Sequence, residues 1–255
     1  MKSWGAWLGI ELSVVSPTEK IVSVVGGFVS IVFLVLISGW SLGPGNATAL
    51  VASMGASAVL LFAVPHGQLS QPWPVLAGHA FSALIGVACA KWIARPELAA
   101  ACAVGLAIGV MHQFKCIHPP GGATALTAVM GGKAIHDLGF GFALFPVLTN
   151  GLVMVGIAVA FNWLFGWRRY PSALGRPASE ALPEPLAGEP SHEQVVAALR
   201  SLDSFVDISE DDLLRLCREL TRNGIYDVRA QVASRTTRTW KSWLAGLLAS
   251  GPPSP

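Results

Sequence analysis

The sequence predicts an all-α, polytopic membrane helix bundle, built from two inverted three-segment repeats and followed by a short helical cytosolic tail. Three observations carry this. The first is where charge is missing. The 255-residue chain is 53% hydrophobic and 13% charged, against roughly 25% charged in ordinary soluble domains, and the deficit is concentrated. No Asp, Glu, Lys or Arg occurs between Lys20 and Lys91, from Leu98 to Phe114, or from Leu138 to Trp167. Helices of a soluble fold need polar outer faces, so these blanks point to lipid.

The second observation is a duplication. Pro44-Gly45-Asn46-Ala47-Thr48-Ala49-Leu50-Val51-Ala52-Ser53-Met54-Gly55 aligns without gaps to Pro120–Gly131, with nine of twelve positions identical. Pro74-Val75-Leu76 and Pro146-Val147-Leu148 then open matching apolar runs. Each copy reads as an apolar helix, a Pro-Gly entry into a small-residue helix, and a second apolar helix. The units span 21–92 and 97–170, and a duplicated three-segment unit is characteristic of membrane transporters. The third observation is the change after Trp167, where eleven basic and eleven acidic residues mark a soluble tail of balanced charge. That balance argues against a nucleic-acid arm.

In chain order, residues 1–20 combine Trp4, Trp7 and Leu8 with Lys2 and Lys20, which suits an interfacial segment. They lack the pattern of a cleavable signal peptide. Ile21–Trp40 is long enough to span. Asn46–Val64 is rich in Ala, Ser and Gly and suits a helix packed inside protein. Pro65–Pro74 reads as an irregular loop. Val75–Trp92 and Glu97–Phe114 are further apolar helices. Gly122 to Met130 is too short to span alone and suits a half-helix or re-entrant piece. Phe145–Phe165 is the last span, anchored by Trp163, Trp167, Arg168, Arg169 and Tyr170. Six segments with both termini cytoplasmic, in a cell inner membrane, fit the distribution of Lys and Arg best. Residues 171–190 form a Pro-rich linker, 191–235 a cytosolic helical tail, and 236–255 an amphipathic or disordered C-terminus. Cys89, Cys102, Cys116 and Cys217 have no paired spacing and are expected as free thiols.

The candidate chemistry lies at His118-Pro119-Pro120-Gly121-Gly122-Ala123-Thr124. Pro and Gly here permit a sharp turn into a helix whose first amides are uncovered, and such a helix start suits a small anion. The amides of Gly121, Gly122 and Ala123 would face the substrate, with His118 and Thr124 as donors, and Thr127 in reserve. Gly45, Asn46 and Thr48 would contribute from the first copy, near the midplane. The plain structural alternative is a tight turn followed by a packing surface. His79, at lipid depth, either relays a proton or bonds a neighbouring carbonyl. Asn150 either lines a pore or joins helices, and Ser57 either binds or packs. His66 and His136 fall in loops.

Taken together, His118-Pro119-Pro120-Gly121-Gly122-Ala123-Thr124-Ala125-Leu126, Gly55-Ala56-Ser57-Ala58, Gly78-His79 with Ser82-Ala83, and Phe145-Pro146-Val147 with Asn150 resemble the HPP family of integral membrane proteins. The resemblance covers about residues 15–170. It implies a transporter of a small inorganic anion, since plastid and cyanobacterial members are associated with nitrite. Some bacterial members carry regulatory CBS domains after the membrane part; residues from Ser191 on look like the segment that precedes them.

Two other classes compete. His112, Cys116 and His118 have a spacing that metals use, although no carboxylate lies near and Pro119 redirects His118. A membrane sensor or scaffold would signal through the tail helices. No carboxylate pair, nucleophile–base pair or phosphate loop supports an enzyme, and no cofactor is expected. The partners expected are the lipid bilayer and a small anion, and so slender a bundle is open to homo-oligomer formation.

Overall fold

The computed structural model describes residues 15–42 and 47–175, apart from the side chains of 38–51 and 175, together with Leu213 and Leu216. The remaining tail assignments and the interfacial reading of the first fourteen residues lie outside the described residues. Every regular element described is helical. In order these are α1 (Pro17–Leu42), α2 (Ala47–Ala63), a 3-10 turn (Gln68–Ser70), α3 (Pro72–Trp92), α4 (Pro96–Gln113), α5 (Pro120–Met130) and α6 (Lys133–Leu138). A wide-turn segment (Ala143–Leu148) then runs into α7 (Thr149–Trp163), and a second 3-10 turn covers Ser172–Gly175.

Local chemistry sets the boundaries. Proline stands in the first turn of α3, α4 and α5, where its missing N–H has no helical partner to lose. α1 starts at Pro17 rather than Ile21, because the Ser16 hydroxyl accepts the Glu19 amide at 3.2 Å and caps the helix. α5 ends at Gly131-Gly132, where Gly132 takes φ +76°. His136, expected in a loop, sits on α6 and donates Nε2–H to the Val129 carbonyl at 2.8 Å.

Among the described residues, three stretches are long and apolar enough to cross a bilayer: Pro17–Ile37, Pro72–Trp92 and Ala143–Trp163. α5, with 11 residues, is about 16 Å long, half a hydrocarbon core. This agrees with the sequence reading of the stretch as too short to span alone: by its length, α5 traverses only part of the bundle. Large apolar side chains face outward, with Val24, Phe28, Leu36, Leu152 and Leu164 all more than half exposed. Small residues face inward, as in the Ala99, Ala103, Ala107 stripe of α4. That distribution suits lipid outside and close helix approach inside.

The helices alternate in direction. Beyond α7, Trp167 and Arg168 bond Glu19 at the start of α1, and Arg168 also reaches the Phe62 carbonyl at the end of α2. The Tyr170 hydroxyl donates to the Ser70 carbonyl just before α3. Trp73 Nε1 donates to the Phe114 carbonyl just past α4. These termini share one end of the bundle. At the opposite end, Lys91 and Trp92 of α3 pack on Phe140. α3 lies against α4 and α5, whereas α7 lies against α1 and α2. The third helix of each sequence unit thus packs on the first two of the other.

Candidate functional site

Four polar residues predicted from sequence meet inside the bundle. Ser57 comes from α2, His79 from α3, His118 from the connection before α5, and Thr124 from the first turns of α5; all four are fully buried. Ser57 Oγ lies 2.8 Å from Nε2 of His79 and 2.8 Å from Nε2 of His118. His79 Nδ1 is 2.7 Å from Thr124 Oγ1, and His118 Nδ1 is 2.9 Å from the Leu69 carbonyl. The two imidazoles stand edge-on, with centroids 4.8 Å apart.

One fixed acceptor orders every proton in this network. The Leu69 carbonyl can only accept, so His118 carries its hydrogen on Nδ1 and, as a neutral ring, accepts at Nε2. Ser57 then donates to His118 and accepts from His79 Nε2–H. That leaves His79 Nδ1 to accept from the Thr124 hydroxyl. The result is a one-way chain of donors: Thr124, His79, Ser57, His118, Leu69. Thr124 has a second acceptor, the Pro120 carbonyl at 3.4 Å.

Glycine makes the approach possible. A Cβ on Gly78 would sit 2.7 Å from Cβ of His118, and one on Gly121 would sit 2.8 Å from Ser82 Oγ. A Cβ on Gly86 would meet the Ala125 carbonyl at 2.6 Å. Gly78, Ser82 and Gly86 therefore form one face of α3, against which α5 lies with its backbone nearly in contact. Ser82 Oγ is buried there and has no hydrogen-bond partner among the described residues. Its four-residue spacing from two glycines was the available sequence signal.

The amide cradle expected at α5 is not open. The Gly121 N–H donates to the His118 carbonyl at 2.8 Å, and the Gly122 N–H to the Pro119 carbonyl at 3.0 Å. Pro119 already has helical angles (φ −51°, ψ −38°), so the chain winds in early and its own carbonyls cover these donors. Ala123 is exposed. Of the first copy, Gly45 and Asn46 lie outside the described residues, as does the side chain of Thr48. α2 begins ten residues before Ser57, about 15 Å of helix, so the first copy reaches the cluster through Ser57. Asn150 is buried on α7. His79 bonds two hydroxyls rather than a carbonyl. Among the described residues no three His, Cys, Asp or Glu side chains converge as a metal site. His112 is exposed, whereas Cys116 and His118 are buried, so that trio does not assemble. The three described cysteines, Cys89, Cys102 and Cys116, are free.

A second buried polar centre was missed. Arg168, read as an interfacial anchor, is fully buried. It pairs with Glu19 and donates to Asn162 Oδ1 at 3.0 Å, Ser23 Oγ at 3.2 Å and the Phe62 carbonyl at 2.5 Å. The chain turns back after α7 and inserts the guanidinium among helix ends, where backbone carbonyls need donors. Nearby Tyr170 is buried too, and burial pushes its phenol above the ordinary value.

Comparison with known proteins agrees with this architecture. The family model described as HPP, transmembrane region, matches residues 12–171. Two transmembrane proteins of Dictyostelium discoideum are similar over 126 residues. One is 41% identical, covering 48% of this chain and 44% of that protein; the other is 43% identical, covering 48% and 40%. The chain spans less than half the length of these two curated relatives. No solved structure matches. The charge-free helices, the matched segment and the assembled His-Pro-Pro region lead to one assignment: the chain belongs to the HPP transmembrane family.

Proposed function

We propose that this protein transports a small monovalent anion, nitrite, across a cell inner membrane, and that the Ser57–His79–His118–Thr124 cluster is its substrate site. The observation that carries this is the burial of four hydrogen-bonding side chains from separate elements inside an apolar bundle. Ionisable groups at membrane depth are costly and mark substrate or proton pathways. The unpartnered Ser82 hydroxyl adds a donor beside them. Among the described residues no lysine or arginine bonds the cluster, so attraction stays weak enough for a monovalent ion to leave again.

The inverted duplication belongs to this reading. The alternating helix directions and the reciprocal packing of α3 and α7 support it, because a two-fold arrangement places the site between units that rock against each other. The cluster is sealed in this conformation, which suits a carrier that opens by rearrangement. With both termini cytoplasmic, the tail would lie inside the cell. The test is nitrite flux into liposomes carrying purified protein, with nitrate, formate and chloride compared. His118→Ala and the near-isosteric Thr124→Val should each lower protein-dependent uptake at least about tenfold, the factor that corresponds to a loss of 1.4 kcal/mol, without unfolding the protein. Normal uptake in both would remove the site assignment.

A further inference from the structure

We infer that the His79–Ser57–His118 relay takes up one proton with each anion, so that transport is an electroneutral one-to-one symport. This deepens the transport reading above and rests on it. An anion site inside an apolar bundle needs positive charge, and among the described residues no lysine or arginine supplies it. Around the relay, α2 and α5 carry no charged residue, Lys91 sits at the far end of α3, and Glu97 and His112 stand at the two ends of α4. The Cys116 thiol, before α5, is the nearest other titratable group in sequence to His118, and the Glu19–Arg168 pair is engaged with itself and with Phe62. Among the described residues, no Asp, Glu, Lys or Arg side chain bonds any of the four members. Within the cluster only the two imidazoles can become cationic.

The geometry lets them share one charge. When the Thr124 hydroxyl turns from His79 Nδ1 to the Pro120 carbonyl, 3.4 Å away, Nδ1 is freed to accept a proton. His79 is then an imidazolium. Its Nε2–H passes to Ser57 Oγ while the Ser57 hydrogen passes to His118 Nε2 across the two 2.8 Å contacts. One N–H bond and one O–H bond break, one of each forms, and no redox change occurs. The positive charge finishes on His118, whose Nδ1–H already faces Leu69. Two charges on rings 4.8 Å apart would repel strongly in this environment, so the relay holds one. One proton with one monovalent anion gives a neutral load, which removes the penalty of carrying bare charge through hydrocarbon.

The test uses the full chain in liposomes, with nitrite as the probe and protein-free vesicles subtracted. A one-to-one symport accumulates nitrite about tenfold per pH unit of gradient, because a tenfold ratio equals one unit of proton free energy. Clamping the membrane potential positive or negative should leave that ratio unchanged. Ser57→Ala should abolish the dependence on the gradient, and Ser57→Thr, which keeps the hydroxyl, should restore it. Nitrite accumulation that follows the imposed voltage and ignores the pH gradient overturns the symport and leaves a nitrite carrier. Absence of any protein-dependent nitrite uptake removes the transport reading, and the symport with it.

Discussion

Arg168 and Glu19, separated by 149 positions in the chain, form an ion pair that fastens the end of α7 to the beginning of α1. The arginine side chain is 1% exposed and the glutamate 22%. Removing the arginine leaves Glu19, still bonded to Trp167, without its counter-charge and strands Asn162 Oδ1 and the Phe62 carbonyl. Breaking a buried pair from one side destabilises by about 3–5 kcal/mol, and the residual exposure of Glu19 places this one toward the lower figure. Arg168→Met should therefore lower the thermal midpoint in detergent markedly. Arg168→Lys should fall between, since an ammonium lacks the planar fork that reaches four partners at once.

The contact between α3 and α5 gives a second prediction. Gly86→Ala would press a methyl group to within 2.6 Å of the Ala125 carbonyl and 2.7 Å of Ala128 Cβ. Backbone cannot yield cheaply there, so the helices must part, at about 1–3 kcal/mol. Gly105→Ala on α4 meets nothing within 4 Å and should be neutral or stabilising by up to about 1 kcal/mol. Thermal unfolding of the two variants side by side checks both.

Tyr170 predicts an alkaline limit. Burial holds its phenol protonated beyond the ordinary value near 10. In the unfolded chain the phenol ionises at that ordinary value. The Tyr170 contribution is therefore complete below about pH 10 and is lost as pH climbs toward the raised folded value. The chain has two tyrosines, so Tyr226→Phe leaves Tyr170 as the sole tyrosine. Its tyrosinate absorbance should appear above pH 10 only together with unfolding. Ionisation near pH 10 in folded protein would show that the phenol is not protected. Tyr170→Phe should flatten the alkaline loss of stability.

Topology is testable by thiol labelling. The bonds from Trp167 and Arg168 to Glu19 put both ends of the membrane unit at one end of the bundle. Thr18→Cys and Ala173→Cys should react with an impermeant maleimide from the same side, expected to be cytoplasmic. Lys133→Cys, on exposed α6, should react from the opposite side. Labelling of Thr18→Cys and Ala173→Cys from different faces would contradict the alternating helix order.

The amino-acid sequence by itself determined the helical membrane character of the described residues and, to within a residue or two, the bounds of α2, α4 and α5, but not α6 or the starts of α1 and α7. Those properties are local: a run without Lys, Arg, Asp or Glu reports the solvent around that segment, and Pro72, Pro96, Pro120 and Gly132 act through their own backbones. It also singled out Ser57, His79, His118 and Thr124 as separate candidates. Only the tertiary structure decided that Ser57 stands between two imidazoles 22 and 61 positions away. It likewise decided that the Gly121 and Gly122 amides are covered, and that Arg168 lies inside rather than at the headgroups. The physical reason is that a hydrogen-bond partner depends on which helix faces meet and how closely. Here that closeness is set by Gly78, Gly86 and Gly121, through contacts between segments that no single stretch of sequence contains.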